Sequence, residues 1–191
     1  MDKGLIILIR HASIASRGRL CGRTDCAIGP VDLDRISPLA QSVSDLPFWY
    51  GSPALRCQQT LERLFPQKSA DVLDDRLWEQ DFGLWEDTPF SELPDIGTLS
   101  SDELYQYQPP GGESFAQLYE RASPCFDDIV TTAQSQSVGV MAHAGIIRAF
   151  LGYVLGRPQA GLNFMIDELS ATKIIVSDAG QFTVRSVNQM L

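Results

Sequence analysis

The chain has two histidines, and each directly follows a short apolar run. Arg10 and His11 follow residues 5–9, and His143 follows residues 138–142. Such runs of leucine and β-branched residues are typical of strands buried on both faces of a parallel sheet. Ligands of open α/β sheets bind outside the carboxyl ends of the strands. The two imidazoles and the Arg10 guanidinium are therefore predicted to lie at one ligand-binding crevice.

Two further residues complete a set that could carry out phosphoryl transfer. Arg56 lies in the first turn of a helix predicted to begin at Ser52-Pro53, and helix N-termini attract anions. Glu79 lies in the loop that follows a predicted short strand at 71–73.

The chemistry of this set needs no metal. A neutral imidazole is a competent nucleophile near pH 7, because its ordinary pKa is ~6.5. Guanidinium groups can hold the phosphoryl oxygens, and a carboxylic acid can protonate the departing alkoxide. Each of these residues, taken alone, is better explained by a structural role, and only their convergence on one crevice favours catalysis.

Four arginines, Arg10, Arg17, Arg19 and Arg23, fall within a stretch of fourteen residues with Asp25 as the nearby countercharge. This loop is either a solvated basic surface or an anion site. Its position after the first strand favours the anion site, where Arg23 could contact the phosphate or the leaving group.

The remaining elements predict an α/β fold with three layers, α/β/α, around a mostly parallel sheet, formed by residues 1–191 as one domain. Strands are predicted at 48–50, 71–73, 138–142 and as a pair within 171–187. Helices are predicted to begin at Ser37, Ser52 and Ser114, and another to run from about 145 to 155. Residues 74–92 are predicted to form a structured loop, and 93–113 a surface excursion or lid.

Composition excludes several classes of function. A net charge of −9 argues against a nucleic-acid partner, no stretch is long enough to span a membrane, and the apolar run at the N-terminus is too short for a signal peptide. A cytoplasmic protein is expected. Cys21, Cys26, Cys57 and Cys125 include no CxxC pair, which favours structural thiols over zinc ligands or a disulfide framework.

Five ordered motifs resemble those of the histidine phosphatase (phosphoglycerate-mutase-like) superfamily. The motifs are Arg10-His11, the stretch 52–60 around Arg56, the stretch 79–86 that begins with Glu79, Gly111-Gly112-Glu113-Ser114, and His143-Ala144-Gly145. Within the superfamily, the stretches 21–25 and 109–114 are most similar to the α-ribazole phosphatase branch of cobalamin biosynthesis.

The resemblance implies a role for each residue. His11 is implied as the nucleophile and Glu79 as the proton donor, while Arg10, Arg56 and His143 are implied to hold the phosphate, with no metal and no cofactor. Arg23, Ser13, Arg17 and Ala144 are possible substrate contacts.

This chain also departs from the family pattern. The family usually has Gly-Glu or Gly-Gln after the nucleophile, where this chain has Ala12-Ser13, and the following loop is shorter than usual. The asparagine that often contacts phosphate has no counterpart, so Ser13, Ser16 or Arg17 could replace it. Asp87 stands where a glycine is common.

The sequence therefore predicts a phosphomonoesterase with a phosphohistidine intermediate that acts on a small phosphorylated metabolite, α-ribazole 5′-phosphate being the first choice. The alternatives are a broad-specificity sugar-phosphate or phosphoacid phosphatase of the same fold and a non-catalytic domain that binds phosphorylated ligands. The sequence contains neither the GxGxxG of a dinucleotide-binding enzyme nor the GxSxG of an acyl hydrolase. It does not determine the oligomeric state.

Overall fold

A computed structural model describes residues 4–190 and shows one sheet of six strands with helices on both faces. The strand order is β3-β2-β4-β1-β5-β6. The first four in this order are parallel to one another, and β5 and β6 add an antiparallel hairpin at one side. The strands are β1 (Leu5–Arg10), β2 (Phe48–Gly51), β3 (Val72–Leu73), β4 (Val138–Ala142), β5 (Ala171–Val176) and β6 (Phe182–Gln189).

Within residues 4–190, five α-helices accompany the sheet. They are α1 (Leu33–Ser42), α2 (Leu55–Leu64), α3 (Ser101–Gln106), α4 (Phe115–Ala133) and α5 (Ala144–Val154). Short 3₁₀ turns occur at 75–77, 83–85, 90–92 and 158–163.

The two faces of β1 show why the fold has three layers. Ile6 and Leu8 pack into a core with the buried residues of α4 and α5, whereas Ile7 and Ile9 pack into a second core with α1 and α2. Successive side chains of a strand point to opposite faces, so a continuous apolar run needs a helical layer on each side. The predicted three-layer α/β/α fold is confirmed.

Two helix predictions need correction, and a third helix was not predicted. The first helix does not begin at Ser37 but at Leu33, because Asp32 caps it by accepting a hydrogen bond from the Asp34 backbone N–H. The second helix begins at Leu55 rather than at Ser52, whose hydroxyl instead forms a hydrogen bond with the His143 ring. The third, α3, lies inside the excursion 93–113 and is fixed by a capping box in which Ser100 and Glu103 bond each other's backbone.

The other element predictions are confirmed: the strands at 48–50, 71–73 and 138–142, the strand pair near the C-terminus, and the helices after Ser114 and His143. Between residues 4 and 190, no helix combines the length and apolar character needed to cross a membrane.

Candidate active site

The two histidines lie side by side because the strands that precede them are neighbours. β1 and β4 are parallel, with Arg10 paired to Ala142, so both chains leave the sheet at the same edge. The His11 and His143 ring centroids are 5.1 Å apart, and the rings meet edge to face. The geometry therefore brings the two imidazoles together, but only His11 lines the cavity described below, whereas His143 is fully buried.

His11 is held as a neutral imidazole with one free nitrogen. Its Nδ1 lies 2.7 Å from the carbonyl oxygen of Ala12, which can only accept, so Nδ1 carries the proton and Nε2 keeps its lone pair. Burial, reinforced by the positive charge of Arg56, lowers the pKa of His11 to about 3. His11 is therefore uncharged at neutral pH, as a nucleophile must be.

Arg56 is completely buried behind the histidines. Its Nε donates to Nδ1 of His143 at 3.3 Å, so the proton of His143 is on Nε2, which lies 2.8 Å from the Ser52 hydroxyl. Its two terminal nitrogens donate to the carbonyls of Thr24 and Gly22 at 3.0 and 2.6 Å. Three of its five N–H groups are thus engaged, and Arg56 is not among the residues that line the cavity described below. Burial and Arg56 also lower the pKa of His143 well below its ordinary value.

The carbonyls that hold Arg56 belong to a loop ordered by Glu86. This carboxylate accepts hydrogen bonds from the backbone N–H groups of residues 22, 23, 24 and 82 and from the Thr24 hydroxyl. Burial acts to raise the pKa of Glu86, but these hydrogen bonds outweigh it and lower the pKa. A Cβ on Gly22 would lie 1.9 Å from the Gln80 carbonyl oxygen, so the loop can pass here only with glycine.

Arg10 presents an unsatisfied donor. Its Nη1 donates to the Ile166 carbonyl at 2.7 Å and its Nη2 lies 3.7 Å from Glu168, while its Nε is buried without a hydrogen-bond partner among the described residues. Buried N–H groups without partners are rare and costly, so an anionic ligand oxygen beside His11 would satisfy this one.

Glu79 is anchored between its own loop and the N-terminus of α5. Its carboxylate oxygens accept from the backbone N–H of Gln80 at 3.0 Å and of Gly145 at 3.1 Å. Gly145 permits this approach because a Cβ there would lie 2.2 Å from Oε1. Arg121 fixes the loop by donating to the carbonyls of residues 76, 78 and 79 and to Glu113.

A cavity of about 800 Å³ opens over His11, Arg10 and Glu79. Its outer wall comes from the 3₁₀ turns and from the excursion 93–113, which contributes Leu93, Ile96, Leu104, Tyr107 and Pro109. Tyr107 stacks on Trp85, with ring centroids 5.8 Å apart. The excursion thus covers the site.

The remaining predicted site residues divide into two groups. Ser13, Arg17 and Ala144 line the cavity. Arg23 does not line it: its guanidinium lies 5.7 Å from the Trp78 ring centroid, and burial lowers its pKa. Ser16 is also absent from the lining.

The N-terminus of α2, predicted to attract a ligand anion, instead binds Asp25, which accepts from the Leu55 N–H at 2.7 Å.

The prediction of four structural thiols was wrong for one pair. Cys21 and Cys26 form a disulfide, because the loop ordered by Glu86 turns back and brings their Cα atoms to 7.0 Å. Cys57 and Cys125 are free and buried, as predicted. Among residues 4–190, no group of three or more His, Cys, Asp or Glu side chains is arranged to hold a metal ion.

With this geometry established, comparison with known proteins identifies the family. The model of the histidine phosphatase superfamily (branch 1) matches residues 6–190. The chain belongs to the histidine phosphatase superfamily. It is a phosphoric monoester hydrolase.

Individual relatives are distant. Phosphoserine phosphatase 1 of Hydrogenobacter thermophilus is 28% identical over 160 residues, which are 79% of this chain and 76% of that protein. A phosphoserine phosphatase of Entamoeba histolytica, solved with phosphoserine, superposes with a TM-score of 0.80 at 22% identity and covers 97% of both chains. The α-ribazole phosphatase of Shigella flexneri gives a TM-score of 0.80 at 20% identity, covering 97% of this chain and 96% of its own. These two structures share the fold.

Asp87 shows how this histidine phosphatase accommodates one departure from the family pattern. The residue has φ = 56°, in the left-handed region that favours glycine and that Asp tolerates better than most residues. Its carboxylate accepts from Arg19 Nε at 2.6 Å. The site is built here without the usual glycine, and Arg19 gains a countercharge that the linear sequence does not show.

Four residues that shape the phosphatase site were not predicted from the sequence: Ser52, Glu86, Arg148 and Glu168. Glu86 lies in the motif that begins with Glu79, so the resemblance could have singled it out. The other three act through partners more distant in sequence: Arg148 lines the cavity, and its Nε donates to the Phe164 carbonyl, 16 residues away. Ser52 bonds a histidine 91 residues away, and Glu168 bonds Ser13, 155 residues away.

The neutral histidines predict a specific loss of stability in acid. In the unfolded chain a histidine has a pKa of ~6.5, whereas His11 in the fold has a pKa of about 3. Below pH 6.5 the unfolded state therefore binds a proton that the folded state does not, and the free energy of unfolding falls by about 1.4 kcal/mol per pH unit for this residue. Above pH 6.5 the term vanishes.

Urea unfolding at pH 7.5 and pH 5.0 tests this effect. Between these two pH values, the free energy of unfolding is expected to fall by about 2 kcal/mol more in the wild type than in the His11→Asn variant, whose side chain does not titrate. The comparison removes the contribution of the carboxylates, which both proteins share. Equal losses in the two proteins would mean that the pKa of His11 is not lowered by the fold.

Proposed function

We propose that the chain is a metal-independent phosphomonoesterase that works through a phosphohistidine at His11. The observation that carries this proposal is the neutral His11 ring, with its Nε2 lone pair free, beside the unsatisfied Nε of Arg10. His11 and Arg10, the proposed nucleophile and phosphate donor, both line one cavity. Arg56 and His143, directly behind His11, supply the remaining positive charge and donors.

The reaction has two steps that follow from these positions. His11 Nε2 attacks the phosphorus, the bond from phosphorus to the ester oxygen breaks, and Glu79 in its acid form gives the leaving oxygen a proton. Water then attacks the phosphohistidine, Glu79 takes a proton from it, and the P–N bond breaks to return the neutral imidazole. Arg10 and Arg56 stabilise the charge on the equatorial oxygens in both steps.

The first choice of substrate is α-ribazole 5′-phosphate. The cavity of about 800 Å³ has a wall of Phe82, Trp85, Phe90, Leu104 and Tyr107, which suits a flat apolar group such as a benzimidazole base. The fold shared with the Shigella flexneri α-ribazole phosphatase is consistent with this choice.

The second candidate is a phosphoacid or sugar-phosphate phosphatase of broader specificity. Arg17 and Arg148 line the same cavity and offer positive charge to a second anionic group such as a carboxylate. The H. thermophilus relative, named a phosphoserine phosphatase, is in line with this alternative.

Hydrolysis of a panel of phosphomonoesters in excess chelator tests these proposals. The panel holds α-ribazole 5′-phosphate, phosphoserine, 3-phosphoglycerate and p-nitrophenyl phosphate. We expect chelator-resistant turnover with kcat/KM highest for α-ribazole phosphate. Chelator-resistant activity that favours the phosphoacids would keep the mechanism and change the substrate, and binding without turnover would support a phospholigand-binding domain.

A further inference from the structure

The segment 166–170, just before β5, encloses Arg10 on three sides. The Ile166 carbonyl accepts from Arg10 Nη1, the Ser170 carbonyl accepts from the Arg10 backbone N–H, and the Leu169 N–H donates to the Arg10 carbonyl. Leu169 has φ = 61°, a conformation that leucine rarely adopts and that surrounding bonds must enforce. The segment is therefore a fixed clamp rather than a passive connection.

The clamp places one carboxylate at the phosphate site. Glu168 lines the cavity, its Oε2 accepts from the Ser13 hydroxyl, and its Oε1 lies 3.7 Å from Arg10 Nη2. Its side chain is 34% exposed, so it faces the space that the ligand enters. A negative charge beside a site for a dianion opposes binding, and neither proposed chemical step uses it.

We propose that Glu168 is a positioning residue that holds Arg10 and Ser13 in place and, by its charge, limits the affinity of the site for inorganic phosphate. The proposal rests on the proposed function, since it takes Arg10 as a phosphate ligand. Without a countercharge, Arg10, Arg56 and two neutral histidines would hold the dianionic product tightly, and slow release would limit turnover.

The expected size of the effect follows from the distances. A phosphate oxygen bonded to Arg10 Nε at about 2.8 Å lies within roughly 9 Å of the Glu168 carboxylate, since Nε and Nη2 are about 2.3 Å apart in a guanidinium and Nη2 lies 3.7 Å from Oε1. Like charges at this separation in a partly enclosed site repel by enough to change affinity about tenfold, even at a high effective dielectric constant.

Calorimetric titration of inorganic phosphate into the intact protein tests the proposal without turnover. Three variants are compared with wild type: Glu168→Gln removes the charge and keeps an acceptor for Ser13, Glu168→Asp keeps the charge, and Asp167→Asn removes a charge one residue away. Asp167 is a matched control because its side chain bonds Asn188 and does not line the cavity. Competitive inhibition of p-nitrophenyl phosphate hydrolysis by phosphate is measured in parallel.

Phosphate is expected to bind Glu168→Gln about tenfold more tightly than wild type, while Glu168→Asp and Asp167→Asn stay within about threefold. The inhibition constant should fall by the same factor. A purely structural role of Glu168 predicts weaker phosphate binding in Glu168→Gln. Weaker binding, or unchanged binding, would overturn this proposal. The proposed function would still stand if the wild type hydrolyses the ester. If wild type neither binds phosphate nor hydrolyses the ester, the proposed function fails as well.

Discussion

Replacing His11 with alanine is expected to reduce turnover by about 10⁴-fold or more and to remove the acid-labile phosphoenzyme. The reason is that Nε2 of His11 carries the free lone pair at the cavity, whereas Nε2 of His143 is protonated and bonded to Ser52. Among residues 4–190, no other imidazole lines the cavity. The measurements are steady-state hydrolysis of p-nitrophenyl phosphate and acid-quench trapping of ³²P-labelled protein.

The alanine variant must also be shown to fold, because His11 is buried. Arg10, Arg56 and His143 are held by partners other than the His11 ring, so the variant should still bind inorganic phosphate and keep its far-UV circular dichroism. Retained phosphate binding with lost turnover isolates the loss of the nucleophile. Near-normal activity in this variant would refute the assignment of His11.

The parts of the site that could be predicted from the sequence are those fixed by the sheet. A continuous apolar run such as 5–9 can be buried on both faces only between two helical layers, and the next residues then emerge at the carboxyl edge. Arg10, His11 and His143 are therefore brought together by a pattern that the sequence itself contains. The capping box at Ser114 and Gln117 fixed the start of α4 in the same local way.

The parts that could not be predicted depend on partners far along the chain. Arg56 was expected to face the phosphate from a helix N-terminus, yet that terminus binds Asp25, and Arg56 holds the carbonyls of Gly22 and Thr24. No periodicity relates residue 56 to these partners. The disulfide between Cys21 and Cys26 has the same origin, since Glu86, 60 or more residues later, shapes the loop that joins them.

Glu79→Gln is expected to lower the rate by roughly 10²–10⁴ for an ester whose leaving group has a high pKa, and far less for p-nitrophenyl phosphate. An alkoxide must be protonated as it departs, and glutamine has no acidic proton to give. The p-nitrophenolate ion departs without a proton, so its release does not need Glu79. Comparing kcat/KM for an alkyl phosphate and for p-nitrophenyl phosphate in one variant separates these cases.

The matched control is Asp81→Asn, which neutralises a carboxylate two residues further along the same loop. Asp81 accepts from the Gly83 N–H at 2.8 Å and does not line the cavity, so its amide should preserve that bond and leave both substrates unaffected. Glutamine at 79 can accept from only one of the two backbone N–H groups that the carboxylate binds, which displaces the loop slightly. Such a displacement would slow both substrates alike. A loss confined to the alkyl ester therefore identifies Glu79 as the proton donor, and equal losses would assign it to holding the N-terminus of α5.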